Sequence, residues 1–97
     1  MFSPSRTHSH VITPQAVDLE ADLMRAALVR GGRPLRDGVD LTKVAAHQLV
    51  EEVMSDLHEA NVAVTRRVWD RTSDGGVHLA LELDREADVV HAAMVLG

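Results

Sequence analysis

The amino-acid sequence predicts a small α+β domain, and three observations support this prediction. Residues 14–30 and 41–60 place apolar side chains at the three- and four-residue spacing of amphipathic helices. Residues 62–83 instead alternate apolar and polar side chains on either side of the turn sequence TSDGG, as a β-hairpin does. Residues 85–96 return to helical spacing. The predicted order is therefore two N-terminal helices, a β-hairpin and a C-terminal helix.

The N-terminal segment, residues 1–13, has the composition of an extended arm, and residues 8–13 could form a short strand. A two-stranded ribbon is only marginally stable in water, so a third strand is expected. We expect it to come either from this segment or from a second copy of the chain. Residues 14–97 are expected to form a single α+β domain, which suits a chain of 97 residues.

The first helix is expected to begin at Pro14, with Thr13 as its N-cap, and to run to about Arg30. Gly31 is expected in the left-handed position that ends a helix. The apolar surface of this helix is wide, which predicts packing neighbours on more than one side. It comprises Val17, Leu19, Leu23, Met24, Ala27 and Leu28.

The second helix is expected to have Asp40 or Thr42 as its N-cap, after a turn at residues 37–38, and to continue to about Ala60. Its inward stripe is the clearest periodic pattern in the chain: Ala46, Leu49, Val50, Val53, Leu57 and Ala60. For the last helix we expect Asp84 as the N-cap. Its predicted inward side chains are Ala87, Val90, Ala93 and Met94.

The hairpin has a self-consistent predicted register in which Thr72 pairs with Val77. This register buries Val68 and turns Trp69 to the outer face. Arg66 and Asp70 interrupt the apolar face, so a bulge or an uncovered end is expected there. The apolar face of the returning strand comprises Val77, Leu79, Leu81 and Leu83.

Composition and charge exclude several classes of protein. The chain has no cysteine, which excludes disulfides, thiolate zinc sites and cysteine nucleophiles. The net charge is −5 and each predicted helix is acidic, which argues against binding to nucleic acid. No apolar run is long enough to cross a membrane, and the N-terminus lacks the pattern of a signal peptide. We therefore expect a protein of the cytoplasm or of a phage particle, and the preference for arginine over lysine suggests a bacterial or phage origin.

The connector LVRGGRPLRDGVD carries Arg30, Arg33 and Arg36, which could bind an anion near the N-terminus of the second helix. The Gly-Lys-Ser/Thr ending of a P-loop is absent, and Asp37 and Asp40 lie close by. The glycines have ordinary uses in turns. A plain connector is therefore the favoured interpretation.

The remaining polar patterns give no indication of an enzyme. His47 and Glu51 are four residues apart on a helix and could share a metal ion, but no third ligand is indicated. Asp56 and His58 point about 200° apart on the same helix, so together with Ser55 they cannot form a hydrolytic triad. We expect no catalytic residues, no metal and no cofactor.

Trp69 stands between Arg67 and Arg71, a pattern typical of an anchor at a protein interface. Two alternatives remain open at this point: Trp69 could belong to the core, or it could stack on a nucleic-acid base. The apolar C-terminal residues Val95 and Leu96 are a further candidate contact, either within the domain or with a partner.

The sequence therefore predicts a non-enzymatic protein–protein interaction or assembly module, as a homo-oligomer or as a subunit of a larger bacterial or phage complex. Its partner is expected to be a protein, either a second copy or another subunit. The alternative is a regulator that binds nucleic acid, because helices followed by a hairpin resemble a winged helix in outline, with Arg66, Arg67 and Arg71 in the wing. The acidic second helix argues against it.

Overall fold

A computed structural model describes residues 4–32 and 40–97. A short 3₁₀ turn at Pro4–Arg6 precedes β1 (Thr7–Ile12). The helices α1 (Pro14–Arg30) and α2 (Leu41–Glu59) follow, then β2 (Val64–Arg71), β3 (Val77–Leu83) and α3 (Glu86–Leu96). The predicted α+β class and the predicted order of elements are confirmed. None of the helices in these two ranges is long and apolar enough to cross a membrane.

The three strands form one antiparallel sheet in the order β1-β3-β2. The third strand comes from the N-terminal segment of the same chain, so the sheet is completed without a second copy. The central strand β3 carries four fully buried side chains, Val77, Leu79, Leu81 and Leu83. They pack in one core with α1, α2 and α3. The helices cover this face of the sheet and leave the other face open, as is common in antiparallel sheets.

The predicted hairpin register was wrong by one residue. Arg71, not Thr72, pairs with Val77, so Trp69 pairs with Leu79 and Val68 pairs with Ala80. Directly opposite residues of an antiparallel pair lie on the same face of the sheet. Trp69 therefore faces the helices, contrary to the outward position expected, and Val68 lies on the open face with 51% of its surface exposed.

A β-bulge near the start of β2 explains why Val64 and Val68 lie on opposite faces of the sheet, whereas the loop at residues 72–76 sets the pairing of Arg71 with Val77. Val64 pairs with Leu83 and Arg66 pairs with Glu82, which leaves Thr65 as an extra residue. The Thr65 hydroxyl donates a hydrogen bond to the Glu82 carbonyl oxygen, 3.2 Å away. The sequence predicted a bulge near Arg66. It did not predict that the bulge changes the direction of the side chains after it on β2. One added residue exchanges the faces of all the residues that follow it on the strand.

The loop between β2 and β3 lies against the junction of β1 and α1. Asp74 accepts hydrogen bonds from the Thr72 hydroxyl and the Gly76 amide, and the Thr72 amide donates to the Gly76 carbonyl at 3.0 Å. A Cβ atom at Gly76 would lie 2.6 Å from the Ile12 carbonyl oxygen. Because backbone approaches so closely here, glycine is required, and the predicted turn at residues 72–76 is confirmed.

The termini of α1 and α2 largely follow the predictions. Thr13 caps α1 by accepting from the Ala16 amide, and Asp40 caps α2 by accepting from the Thr42 amide. The left-handed glycine after α1 is Gly32, with φ of 68°, whereas Gly31 keeps a right-handed conformation. The expected turn at residues 37–38 lies outside the described residues.

A left-handed asparagine ends α2. Asn61 has φ of 60°, and the Val62 amide donates to the Leu57 carbonyl at 2.9 Å. This bond spans five residues and satisfies a carbonyl at the helix end, as in a Schellman motif. The chain then reverses directly into β2.

The predicted inward face of α3 was wrong. Arg85, not Asp84, is the N-cap, because the Asp84 amide is bonded to the Ala63 carbonyl at the end of the sheet. Asp88 and Ala92 face the core, whereas Val90 and Met94 are exposed. The helix is apolar on nearly all sides, so its periodicity did not define a buried face. The buried Asp88 carboxylate accepts hydrogen bonds from the Arg85 guanidinium at 3.2 and 3.4 Å.

A candidate protein-binding cleft between α2 and β2

The bulge in β2 directs Arg67, Trp69 and Arg71 towards α2, since all three pair with inward-facing residues of β3. Trp69 is half-buried and packs against the core on one side. On the other side it meets the His47 ring edge-on, with the ring centroids 6.0 Å apart. Trp69 therefore contributes to the core, as one of the three alternatives had it, and is also partly exposed at the surface.

A cleft of about 370 Å³ opens beside the Trp69 ring and is lined by Lys43, Val44, His47 and Trp69. We call it the Trp69 cleft. Its floor is apolar, and Val44 has 47% of its surface exposed there. Lys43 and His47 stand at its rim and are both exposed. A half-covered aromatic ring with polar neighbours is typical of the centre of a protein interface.

An ion pair borders one end of the Trp69 cleft. An Arg67 Nη atom lies 2.9 Å from a Glu51 carboxylate oxygen, and His47 Nε2 lies 3.9 Å from the same oxygen. His47 and Glu51 are thus neighbours, as their spacing suggested. No group of three or more potential metal ligands occurs among residues 4–32 and 40–97. Arg67 and Glu51 offset each other's charge at this end.

A second positive charge, that of Arg71, lies outside the lining of the cleft and is held by the hairpin loop. The Arg71 guanidinium donates to the Gly75 carbonyl at 2.8 Å and to the Gly76 carbonyl at 3.3 Å, which holds it beside the hairpin loop. It also lies near the N-terminus of α2. Hydrogen bonds from Thr42, with a smaller contribution from Arg71, hold the pKa of Asp40 below its ordinary value.

The exposed edge of β2 is poorly suited to adding a strand from a partner. Four of its eight residues are charged, and the bulge interrupts its ladder near one end. Charged side chains and bulges are two features that protect edge strands from pairing with other chains. A partner at this cleft would therefore be recognised through side chains.

The other predicted contact residues lie elsewhere. Val95 is partly exposed and Leu96 packs against the core, both on α3, and neither lines the Trp69 cleft. Arg30 is exposed at the end of α1. Arg33 and Arg36 lie outside the described residues, so the possible anion site is not tested.

Lys43 and Val44 were missed as site residues. Sequence spacing assigned Lys43 to a solvent-facing set, which is correct for α2 alone. Their role in a cleft depends on the register of β2, because only the bulge turns Trp69 towards them. The sequence contained one indication that this face of β2 meets α2. Arg67 lies two residues before Trp69, and the acidic helix α2 offers Arg67 an ion-pair partner.

A second cleft lies between α1 and α2 and has a volume of about 580 Å³. The described residues that line it are all apolar or glycine: Met24, Ala27, Leu28, Gly31, Leu41 and Val44. Binding sites combine an apolar lining with a few polar groups that orient the ligand. The Trp69 cleft meets this condition and is the better candidate.

Comparison with known proteins gave no match to any protein-family model, any curated protein or any solved structure.

Proposed function

We propose that this protein is a non-enzymatic protein–protein interaction module that works within an assembly, as a homo-oligomer or as a subunit of a larger complex. The Trp69 cleft is its docking site. The observation that supports this proposal is the half-buried Trp69, which is the only tryptophan in the chain and leaves one ring face beside an open apolar cleft. Tryptophan is the residue type most enriched among binding hot spots.

The charges around the cleft indicate the chemistry of the partner. Lys43 is exposed at the rim, Arg71 is fixed near the N-terminus of α2, and the Arg67–Glu51 pair is neutral overall. The helix dipole adds positive potential at the same end. Asp40 offsets part of this charge. The cleft is therefore suited to a protein segment with an apolar side chain next to an acidic residue.

The fluorescence of Trp69 tests this proposal directly, because it is the only tryptophan. The probes are two ten-residue peptides with a central leucine. In the acidic peptide aspartates flank the leucine, and in the basic peptide lysines flank it. We expect the acidic peptide to shift Trp69 emission to shorter wavelength with a Kd of about 10 µM to 1 mM, the range of a small weak contact. The basic peptide is expected to bind at least tenfold more weakly.

Val44→Asp is the matching variant, because Val44 is exposed and its replacement fills the cleft with a charge while leaving the core intact. We expect it to abolish the peptide-induced shift. Gln48→Asp adds the same charge to an exposed position of α2 outside the cleft and should bind as the unmodified chain does. Circular dichroism would verify that both variants keep their helices.

Two outcomes would overturn the proposal. The first is that neither peptide changes Trp69 emission at millimolar concentration. The second is a salt-dependent shift caused by an oligonucleotide in place of the peptides, which would assign the cleft to nucleic acid.

A further inference from the structure

The helix α1 has two apolar faces, and only one of them packs against the rest of the domain among the described residues. Val17 and Ala21 are buried, and Met24 and Leu28 pack beside them against the core. On roughly the opposite side of the helix lies a second row, which we call the outer stripe. It consists of Leu19, Leu23, Ala26 and Arg30.

The two leucines of the outer stripe are well exposed, Leu19 at 61% and Leu23 at 55%. The steps between its members are four, three and four residues, which is the heptad spacing of a helix that packs against another helix. Single exposed leucines are ordinary, but a row at this spacing presents a seam that is apolar from Leu19 to Ala26. The sequence predicted neighbours on more than one side of α1, and the described chain supplies them on one side.

The charges of α1 indicate what covers this seam. Its acidic residues, Asp18, Glu20 and Asp22, all lie in the first half of the helix, and its basic residues, Arg25 and Arg30, lie in the second half. A second copy of α1 in antiparallel orientation places the acidic half of each helix against the basic half of the other. A parallel copy places like charges together. Antiparallel helix dipoles add to the preference.

We propose that two copies of this chain associate through their outer stripes, with the α1 helices antiparallel about a two-fold axis near Leu23. This rests on the proposed assembly function and names a second copy as one partner. A two-fold axis requires one surface to complement itself, and a seam flanked by opposite charges in the two halves of its helix does so. A further exposed apolar pair, Val90 and Met94 on α3, lacks this property because α3 has acidic residues in its first turn and no basic residue in its last.

The seam is short, so the association is expected to be weak. A helix of 17 residues is about 25 Å long, and two such helices bury much less than a standard interface of about 1,600 Å². We expect a Kd of about 10 µM to 1 mM.

Sedimentation velocity of the full chain from about 5 µM to 1 mM tests the proposal. The unmodified chain should shift from monomer to dimer in this range. Leu19→Gln combined with Leu23→Gln should weaken the dimer at least tenfold, because glutamine keeps helix propensity but removes the apolar seam. Val90→Gln combined with Met94→Gln is the matched control, with the same change at two exposed positions of α3, and it should associate as the unmodified chain does.

The absence of cysteine allows the orientation to be tested with one introduced thiol. In an antiparallel pair, Leu23→Cys places the two thiols near the axis, where a short thiol-reactive cross-linker should join them. Arg30→Cys places them seven residues from the axis on opposite sides, about 21 Å apart, and should not cross-link. In a parallel pair both variants would cross-link.

The proposal fails if the unmodified chain stays monomeric at 1 mM, if the glutamine variant of α1 associates as tightly as the unmodified chain, or if Arg30→Cys cross-links as readily as Leu23→Cys. Peptide binding at the Trp69 cleft is measured on the monomer and with different variants. A negative result for association through the outer stripe would therefore not contradict peptide binding at the Trp69 cleft. A negative result for peptide binding would likewise not contradict association through the outer stripe.

Discussion

Trp69 shares one face of β2 with Arg67 and Arg71, because alternate residues of a strand point to the same side of the sheet. Which face they share depends on whether Thr65 is paired or bulged out, and no local preference decides this. The choice is made by the whole sheet, because the five-residue loop 72–76 must also close against the Ile12 carbonyl.

His10 is the residue for which we expect a pH-dependent effect on stability. It faces the helices from β1, opposite Leu79. Burial lowers its pKa below the ordinary value of 6.5, and the neighbouring His8 lowers it further. The unfolded chain therefore binds a proton at His10 more readily than the native state does. As the pH falls below about 6.5, the free energy of unfolding should decrease.

Urea unfolding at pH 7.5 and at pH 5.5 would measure this effect. His10→Gln should lose less stability between the two pH values than the unmodified chain. His58→Gln is the control, because it makes the same exchange at a histidine that is exposed on α2. Equal pH dependence in the unmodified chain and in His10→Gln would contradict the assignment.

At the scale of elements, the helices and strands followed from residue periodicity and capping. Thr13, Pro14 and Asp40 marked the helix starts correctly, and the inward stripe of α2 was confirmed for its buried members, including Val50 and Leu57. The failures share one physical cause. In α3 apolar residues occur on nearly all sides, and in β2 charged residues occur on both faces. The sequence pattern therefore does not indicate which face is buried, and tertiary contacts determine it.

The strand β1 is the element whose removal should matter most for stability. Without residues 1–12 the chain keeps Thr13 to cap α1, but β3 loses one of its two neighbours and its inner leucines lose the cover of Ile12. Because a two-stranded ribbon is marginal in water, we expect the truncated chain to lose its cooperative thermal transition.

A synthetic peptide of residues 4–13 should restore the transition of the truncated chain at high concentration, followed by circular dichroism. A peptide with the same residues in scrambled order should not. Cooperative unfolding of the truncated chain alone, at the temperature of the full chain, would show that β1 contributes little.

The whole molecule is elongated. Its radius of gyration is 15.3 Å, against about 13 Å for a compact domain of this length, and its extents are 47 × 28 × 19 Å. An elongated domain has more surface for the same core. This is consistent with the apolar side chains left exposed on α1, on α3 and on the open face of the sheet, none of which could be located from composition.

If the outer stripes of α1 associate, the thermal stability should depend on protein concentration. A partner at 100 times its Kd stabilises the native state by about 2.7 kcal/mol, and each kcal/mol shifts the Tm of a domain of this size by about 4–8 °C. Between 5 µM and 1 mM we therefore expect the Tm of the unmodified chain to rise by several degrees.

The variant with glutamine at positions 19 and 23 should show a nearly constant Tm over the same range. Val44→Asp should keep the rise, because Val44 lines the Trp69 cleft and is not part of the outer stripe of α1. A concentration-independent Tm in the unmodified chain would count against association.

The extra residue in β2 has a further consequence for how this chain can vary. Exchanging Thr65 for another amino acid would remove only the exposed hydrogen bond of its hydroxyl to Glu82, and the bulge should tolerate this. Inserting a second residue beside it would invert the strand from Arg66 onward, hiding Val68 and turning the tryptophan to solvent. At this position the count of residues, more than their identity, decides whether a docking surface exists at all.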